Sequence, residues 1–275
     1  MKVSEELEKA QWHFIPDYPV SVLSDAANLP VEETSIDFKS WQGSLFALIE
    51  ARRAAYCEWI LFRKIDTRGF FVLSHGLSTQ RWPGFQFNLR ESTPREMRSW
   101  IHCQSLVRFQ TDRGIYSDVV SVNGRGECKD SGEDQQESKG EIRKGAKQAS
   151  TAAIGVMNDD FAFLEKAPAG VTPPDTGRLY FPVITTAAKV SVLDISADQI
   201  NEHGILPKVD NIDRREVPWA VYRWSLPRSL WLPVSLPQNA INDHTLLEKH
   251  RKLDICIVNI RHLGEFLEEM KDIVE

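Results

Sequence analysis

The chain contains an Asn-Gly pair between two segments in which apolar and polar residues alternate, and this pair restricts the local fold more than any other feature of the sequence. It lies in YSDVVSVNGRGECKD, which runs from Tyr116 to Asp130. A type I′ turn needs a positive φ at both central residues, and Asn-Gly accepts it, so Asn123-Gly124 predicts a two-residue β-hairpin. A two-residue turn fixes the pairing of the two arms and therefore the face on which each side chain lies.

The predicted register gathers two acids and a lysine on one face of the hairpin. Asp118 would stand opposite Lys129, and Glu127, opposite Val120 and two pairs nearer the turn, would lie diagonal to Asp118. Two carboxylates can hold Mg²⁺, and a lysine beside them can orient a water or neutralise a phosphate. The pattern also fits a plain cross-strand ion pair between Asp118 and Lys129, worth about 0.2–1 kcal/mol.

The acid-x-lysine pattern occurs elsewhere in the chain, at residues 37–39, 137–139 and 269–271. The first match starts a predicted helix, the second lies in a polar segment, and the third lies in a predicted final helix. Only Glu127-Cys128-Lys129 follows a hairpin turn on a predicted strand. The context therefore selects this match as the candidate site.

Alternating and β-branched segments predict a sheet, and the segments between them predict helices. The order indicates a mixed α/β domain built around one sheet. The predicted strands are 69–75, 105–110, 115–122, 178–196 and 253–260. The predicted helices are Asp37–Lys64, 144–166 and the segment from His262 onward, with a further helix start at 92–97. Residues 1–35 are predicted to be irregular and Pro-rich after a short amphipathic start, and residues 130–143 to be an exposed loop.

Composition excludes some classes of function. The net charge of −6 does not fit a protein that coats nucleic acid by bulk charge, so a phosphate contact would need a local basic patch. Arg143, Lys144 and Lys147, at the start of a predicted helix, are candidates for that patch. Arg52-Arg53 is predicted to be a solvated face. No P-loop is present, which argues against intrinsic ATP use.

The sequence also carries signals about the compartment. The N-terminal segment lacks an apolar signal-peptide core, and no run of 18 apolar residues predicts a membrane helix. The four cysteines form no CxxC pair, which is typical of free thiols in a reducing cytoplasm. We therefore expect a cytoplasmic protein without a membrane partner.

The stretch SDVVSV-NG-RGECK, followed by a helix with Lys147-Gln148, resembles the PD-(D/E)xK, restriction-endonuclease-like nuclease superfamily, in a poorly characterised prokaryotic branch. The resemblance covers about residues 105–200 and, more loosely, the C-terminal segment. It implies an α-β-β-β-α-β core with a mixed central sheet flanked by helices. Residues 1–104 would be an N-terminal extension packed on that core, and residues 201–275 a strand-helix extension of the same domain.

The resemblance also implies roles for individual residues. The implied metal ligands are Asp118, Glu127 and the backbone carbonyl of Cys128, with Lys129 as the catalytic lysine and Gln148 as an auxiliary residue. The chain departs from the family pattern at Ser117, where a proline is usual, and at Ala152, where a tyrosine is usual. The upstream glutamate stays open between Glu50, Glu58 and Glu96.

The expected function is a Mg²⁺- or Mn²⁺-dependent DNA endonuclease or exonuclease, with a role in bacterial restriction or phage defence implied by the resemblance. DNA is the expected partner, together with a homo-oligomer or a partner protein such as an ATPase or helicase. Two alternatives remain. One is a catalytically silent nucleic-acid-binding or assembly subunit on the same fold, and the other is a purely structural hairpin in an unrelated α/β protein.

Overall fold

The computed structural model of this chain describes residues 2–22, 32–52, 57–65, 70–75, 85–87, 98–103, 114–123, 134–165, 178–193, 214–227 and 252–272. These residues form a 13-stranded mixed sheet with helices on both of its faces. The helices are α1 (Lys2–Lys9), α2 (Asp134–Glu165) and α3 (Leu263–Lys271), the last preceded by a 3₁₀ turn over Ile260–His262. The strands are β1 (His13–Val22), β2 (Glu32–Gln42), β3 (Leu45–Arg52), β4 (Cys57–Lys64), β5 (Phe70–His75), β6 (Phe85–Phe87), β7 (Arg98–Cys103), β8 (Ile115–Asn123), β9 (Arg178–Thr186), β10 (Lys189–Leu193), β11 (Arg215–Glu216), β12 (Trp219–Ser225) and β13 (Lys252–Asn259).

The strands follow the order β1-β2-β3-β9-β13-β12-β8-β4-β10-β11, and β5 joins β9 as a side branch that carries β7 and β6. The three strands β3, β9 and β13 are parallel to one another, whereas the outer pair β1 and β2 is antiparallel. Strands from all three segments of the chain, 1–104, 105–200 and 201–275, therefore pair within one sheet.

A single bent strand turns the sheet back on itself. β9 and β10 are separated only by a bend at Ala187 and Ala188, yet β9 pairs with β3 and β13 while β10 pairs with β4. Neighbouring strands therefore lead from β9 through β13, β12, β8 and β4 to β10. Since β10 follows β9 directly in the chain, the sheet curves back to the place where this series of strands began. The Asn259 amide supports the bend, because its Nδ2 donates to the Ala188 carbonyl oxygen at 2.7 Å.

One face of the central strands packs against α1 and α3. Alternation along each strand sends every second side chain to this face. Trp219 of β12 meets Phe266 of α3 edge-to-face, with ring centroids 5.6 Å apart. The strand side chains of this layer include Leu45, Ala47, Ile49, Leu179, Phe181, Val183, Cys256 and Val258.

The opposite face is filled by α2, which packs against β1, β2, β3, β5, β8, β9 and β13. Every residue from 149 to 157 is buried, so this part of the helix is enclosed on all sides. The sequence explains the close approach, because small residues at Ala146, Ala149 and Ala153 leave room for the strands.

Enlarging a small residue of the enclosed helix is expected to destabilise the fold. Ala153 is fully buried against the sheet, and Ala153→Leu would overpack it by about 1–3 kcal/mol of unfolding free energy. Urea unfolding would measure this loss. Lys144→Leu, on the exposed side of the same helix, should change stability by less than about 0.5 kcal/mol. Equal effects at the two positions would contradict an enclosed helix.

Several predicted elements are confirmed. Strands occur at 70–75, 115–123, 178–186, 189–193 and 252–259, and helices at 134–165 and 263–271. The expected mixed α/β class is also confirmed. The predicted helix start at 92–97 and strand at 105–110 lie outside the described residues.

Three predictions are wrong. The long helix over Asp37–Lys64 is instead the end of β2, followed by β3 and β4, so the helix that the resemblance implies ahead of the strands is not formed there. After the amphipathic start, which forms α1, residues 13–22 form β1 and residues 32–35 begin β2 rather than irregular chain. The segment 134–143, expected to be an exposed loop, belongs to α2, because its Gln, Glu, Lys and Arg residues are good helix formers.

In the described part of the chain, no helix is both long enough and apolar enough to cross a membrane.

Candidate functional site

Asp118 lies in β8, the first arm of the predicted hairpin. It is half-buried and stands opposite Phe62 of the antiparallel neighbour β4. The Ser117 hydroxyl donates to the Asp118 Oδ2 at 2.9 Å and so fixes one carboxylate oxygen. Ser117, where the resemblance implies a proline, therefore contacts the candidate ligand directly.

Asp118 shares its surroundings with Tyr222 and Arg143. Tyr222 stands opposite Tyr116 in the ladder between β12 and β8, and alternation places Asp118 on the same face as Tyr116. Burial raises the pKa of the Tyr222 phenol to about 12, the Arg143 charge opposes that rise, and the Asp118 charge adds to it. The phenol therefore stays protonated well above neutral pH.

The exposed side of α2 next to this group is strongly basic. Arg143, Lys144 and Lys147, called here the basic ridge, are all exposed. The helix segment 142–157 contains no aspartate or glutamate, although the whole chain has a net charge of −6. The local charge is therefore opposite in sign to that of the protein, as expected for a surface that binds phosphate.

Gln148 makes a different contact from the one implied for it. The resemblance implies a place beside the hairpin carboxylates, whereas in the structure the Gln148 Oε1 accepts a hydrogen bond from Arg52 Nη2. Arg52 also pairs with Glu50, with 3.0 Å between Nη2 and the Glu50 Oε1. The Arg52 side chain is only 17% exposed, so the expectation of a solvated face is wrong for this residue.

The upstream glutamates fall into separate networks. Glu50 is connected to Gln148 through Arg52. Glu58 accepts from the Ser191 hydroxyl and pairs with Arg214 at 2.9 Å, on the β4–β10 side of the sheet. Glu96 lies outside the described residues. Glu50 and Glu58 both lie on strands. Of the two, only Glu50 is linked, through Arg52, to Gln148, the helix residue that the resemblance places at the site.

The second arm of the hairpin, with Glu127, Cys128 and Lys129, lies outside the described residues. Within the described residues, no group of three histidine, cysteine, aspartate or glutamate side chains could hold a metal ion. Asp118 offers hard carboxylate oxygens, the donor type that Mg²⁺ prefers. The structure thus packs α2, the helix of Arg143, against β8, the strand of Asp118, and brings Glu50, Arg52 and Gln148 into contact.

Sequence reasoning missed Tyr222 and Arg52 as members of these groups. Tyr222 occurs in a strand rich in aromatic residues and gives no local signal. Arg52 could have been found, because in a strand it shares a face with Glu50; treating the segment as a helix hid that relation.

Comparison with protein-family models, with curated proteins and with solved structures gave no match to this chain.

Proposed function

We propose that this protein is a metal-dependent phosphodiesterase that hydrolyses DNA, with its site at the β8 hairpin and the adjoining basic ridge. One observation carries the proposal: α2, which bears the basic ridge on an acidic protein, packs against β8, the strand of the half-buried carboxylate Asp118. Cations of a ridge can hold the DNA backbone while a carboxylate beside them holds a divalent ion.

The strand pairing supports a hairpin at this place. Among the described strands, β12 pairs with β8 at Ile115 and Tyr116 only, while β4 covers the other edge up to Asn123. Beyond Tyr116, no described strand pairs with β8 on its β12 side, so the proposed second arm would have an edge to pair with. We propose that this hairpin, α2 and β9 correspond to the strand-helix-strand part of a restriction-endonuclease-like core.

The donor set fits Mg²⁺ or Mn²⁺. Asp118, Glu127 and the carbonyl of Cys128 would hold the ion, which supplies an activated water and stabilises the charge on the phosphate. Lys129 would orient the water, and the basic ridge would position the DNA. Ser117 holds the Asp118 carboxylate in place.

A cleavage assay tests this proposal. Plasmid, linear and single-stranded DNA would each be incubated with the wild-type chain in Mg²⁺, in Mn²⁺ and in EDTA. We expect cutting in the two metal ions only. Glu127→Ala and Lys129→Ala, each checked by circular dichroism for an unchanged fold, should abolish it.

The chain offers a matched control for these substitutions. Glu137 and Lys139 form a second acid-x-lysine match within α2, so Glu137→Ala and Lys139→Ala should cut like the wild type. Cutting that survives both Glu127→Ala and Lys129→Ala would place the chemistry elsewhere and contradict the hairpin site.

The second candidate function is a nucleic-acid-binding subunit without catalysis. The contact between Gln148 and Arg52 favours it, because the residue implied to assist the metal site is bound to an arginine instead. Binding of DNA by the wild type without cleavage in either metal ion would select this function.

A further inference from the structure

The strand at one end of the sheet is long and exposed. Among the described strands, β1 stands last in the strand order and pairs only with β2. Five of its first seven residues are exposed, namely His13, Ile15, Pro16, Asp17 and Pro19. Ile15, at 41% exposure, is the only exposed large hydrophobic residue of the described part. A strand of ten residues with an apolar side chain at its rim is a template on which another strand can pair.

The side chains of β1 change faces at Asp17. Phe14 packs in the layer of α1 and α3, whereas Tyr18 packs in the layer of α2. Both have even positions, so strict alternation would have kept them on one face. Asp17 lies between them with a positive φ of 47°, a conformation that aspartate tolerates better than most residues. β2 changes faces at the matching place, between Phe38 and Ile36, so the two strands stay paired on both sides of it.

This change of faces brings two prolines to the same edge of β1. Along a regular strand, successive residues direct their N–H and C=O groups to opposite edges, in step with their side chains. Pro16 and Pro19 are three residues apart and would face opposite edges, but the change at Asp17 places them on one. They stand opposite Phe38 and Ser35 of β2. If the shared edge faced β2, the ladder would lose two hydrogen bonds, so the outer edge is the one that fits.

The other end of the strand order is protected by different means. β11 consists of Arg215 and Glu216, both exposed and charged, and among the described strands it pairs only with β10. A very short, charged edge strand does not offer a row of backbone groups on which a further strand can add. β1 is ten residues long, so its length does not protect it.

We propose that the outer edge of β1 is a pairing surface for a second copy of this chain, and that Pro16, Asp17 and Pro19 keep it closed. The occupant follows from symmetry, because two identical edges can pair antiparallel about a two-fold axis. The prolines remove two donors from the edge, and the left-handed residue between them turns it away from the line of a straight second strand. Asp17 also carries a charge, which would face its own copy in a pair centred on this residue.

The test restores the missing donors. In Pro16→Val/Pro19→Thr, both positions regain an N–H group and receive residues that favour strands, while Asp17 and the change of faces stay as they are. Sedimentation velocity would compare the wild type with the double variant over a wide range of protein concentration. We expect the weight-average mass of the double variant to rise toward twice that of the wild type as the concentration increases.

Hydrogen exchange and further substitutions locate the contact. New amide protection in peptides that cover β1, and not in those that cover β11, would assign the association to this edge. Ile15→Lys, added to the double variant, introduces the charged side chain that keeps edge strands apart, so we expect it to return the mass to the wild-type value. The single variants Pro16→Val and Pro19→Thr should each associate more weakly than the double variant, and they decide the matter if circular dichroism shows that the double variant is unfolded.

Two results would overturn the inference. One is a folded double variant that keeps the wild-type mass at every concentration, or whose new protection lies away from β1. The other is amide protection of β1 in the wild type that weakens on dilution, because the edge would then already be open to a second copy. Association of the double variant that Ile15→Lys reverses supports the inference. DNA cleavage by the wild type does not enter this test, so the inference and the proposed function succeed or fail separately.

Discussion

Asp118→Asn is expected to lower metal-dependent DNA cleavage by about a thousandfold, which corresponds to about 4 kcal/mol of transition-state stabilisation. The substitution keeps the shape of the side chain and still offers an oxygen to the Ser117 hydroxyl, which lies 2.9 Å from the carboxylate. It removes the negative charge that would hold the ion. The single-turnover rate of plasmid nicking in Mg²⁺ would measure the effect.

The chain provides a control of matched chemistry. Asp17 is an exposed carboxylate in β1 with a φ of +47°, a backbone conformation that asparagine tolerates well. Asp17→Asn should therefore cut at the wild-type rate. Ser117→Ala, which keeps the Asp118 charge but removes its hydrogen-bond donor, should lose less than Asp118→Asn. A rate for Asp118→Asn above a tenth of the wild type would exclude Asp118 as a metal ligand.

The second large effect concerns the stability of the fold. Arg223 of β12 and Asp254 of β13 are directly opposite and form two hydrogen bonds of 2.8 and 2.7 Å. Asp254 is fully buried and the Arg223 side chain is 8% exposed. Arg223→Met would leave a carboxylate buried without this partner, so we expect a loss of about 3–5 kcal/mol in the free energy of unfolding.

A double-mutant cycle separates this cost from the net value of the pair. Asp254→Leu should destabilise the fold by a similar amount, whereas Arg223→Met/Asp254→Leu should recover most of the loss, because well-packed apolar residues often replace a buried pair without cost. Urea unfolding of the four proteins would provide the coupling energy. Additive losses in the double variant would show that the two charges do not depend on each other.

The sequence predicts the fold best where a local pattern has one interpretation. β8 alternates up to an Asn-Gly turn, and β9 and β13 are rich in β-branched residues, so all three were identified. β3 was mistaken for a helix because Leu45 to Glu50 are all buried. A strand covered on both faces shows no alternation, and its apolar residues at Leu45, Leu48 and Ile49 also match helical spacing.

A single residue could have corrected the helix predicted over Asp37–Lys64. Gly43 has a positive φ of 56° and marks the turn between β2 and β3, which a continuous helix would not contain. The prolines at positions 16 and 19 suggested irregular chain, but among the described strands β1 pairs only with β2. Proline is tolerated on such a strand, because an edge strand has one side without a partner strand, where a missing N–H group costs no ladder hydrogen bond.

The candidate site was predicted only in part. β8 and α2 pack against each other, whereas the roles expected of Asp118 and Gln148 stay predictions. The partners of Asp118 could not be predicted, because Tyr222 is more than a hundred residues away and reaches it through the pairing of β12 with β8. Long-range strand order of this kind leaves no trace in local periodicity.

The central place of β13 bears on how the protein is made. Until translation has passed residue 259, the strand that separates β9 from β12 is absent, and the edges and apolar faces of both strands remain without their cover. Nascent chains in that condition are prone to aggregate and to bind chaperones. We therefore expect the sheet to assemble only after nearly all of the chain described here has left the ribosome, rather than strand by strand as it emerges.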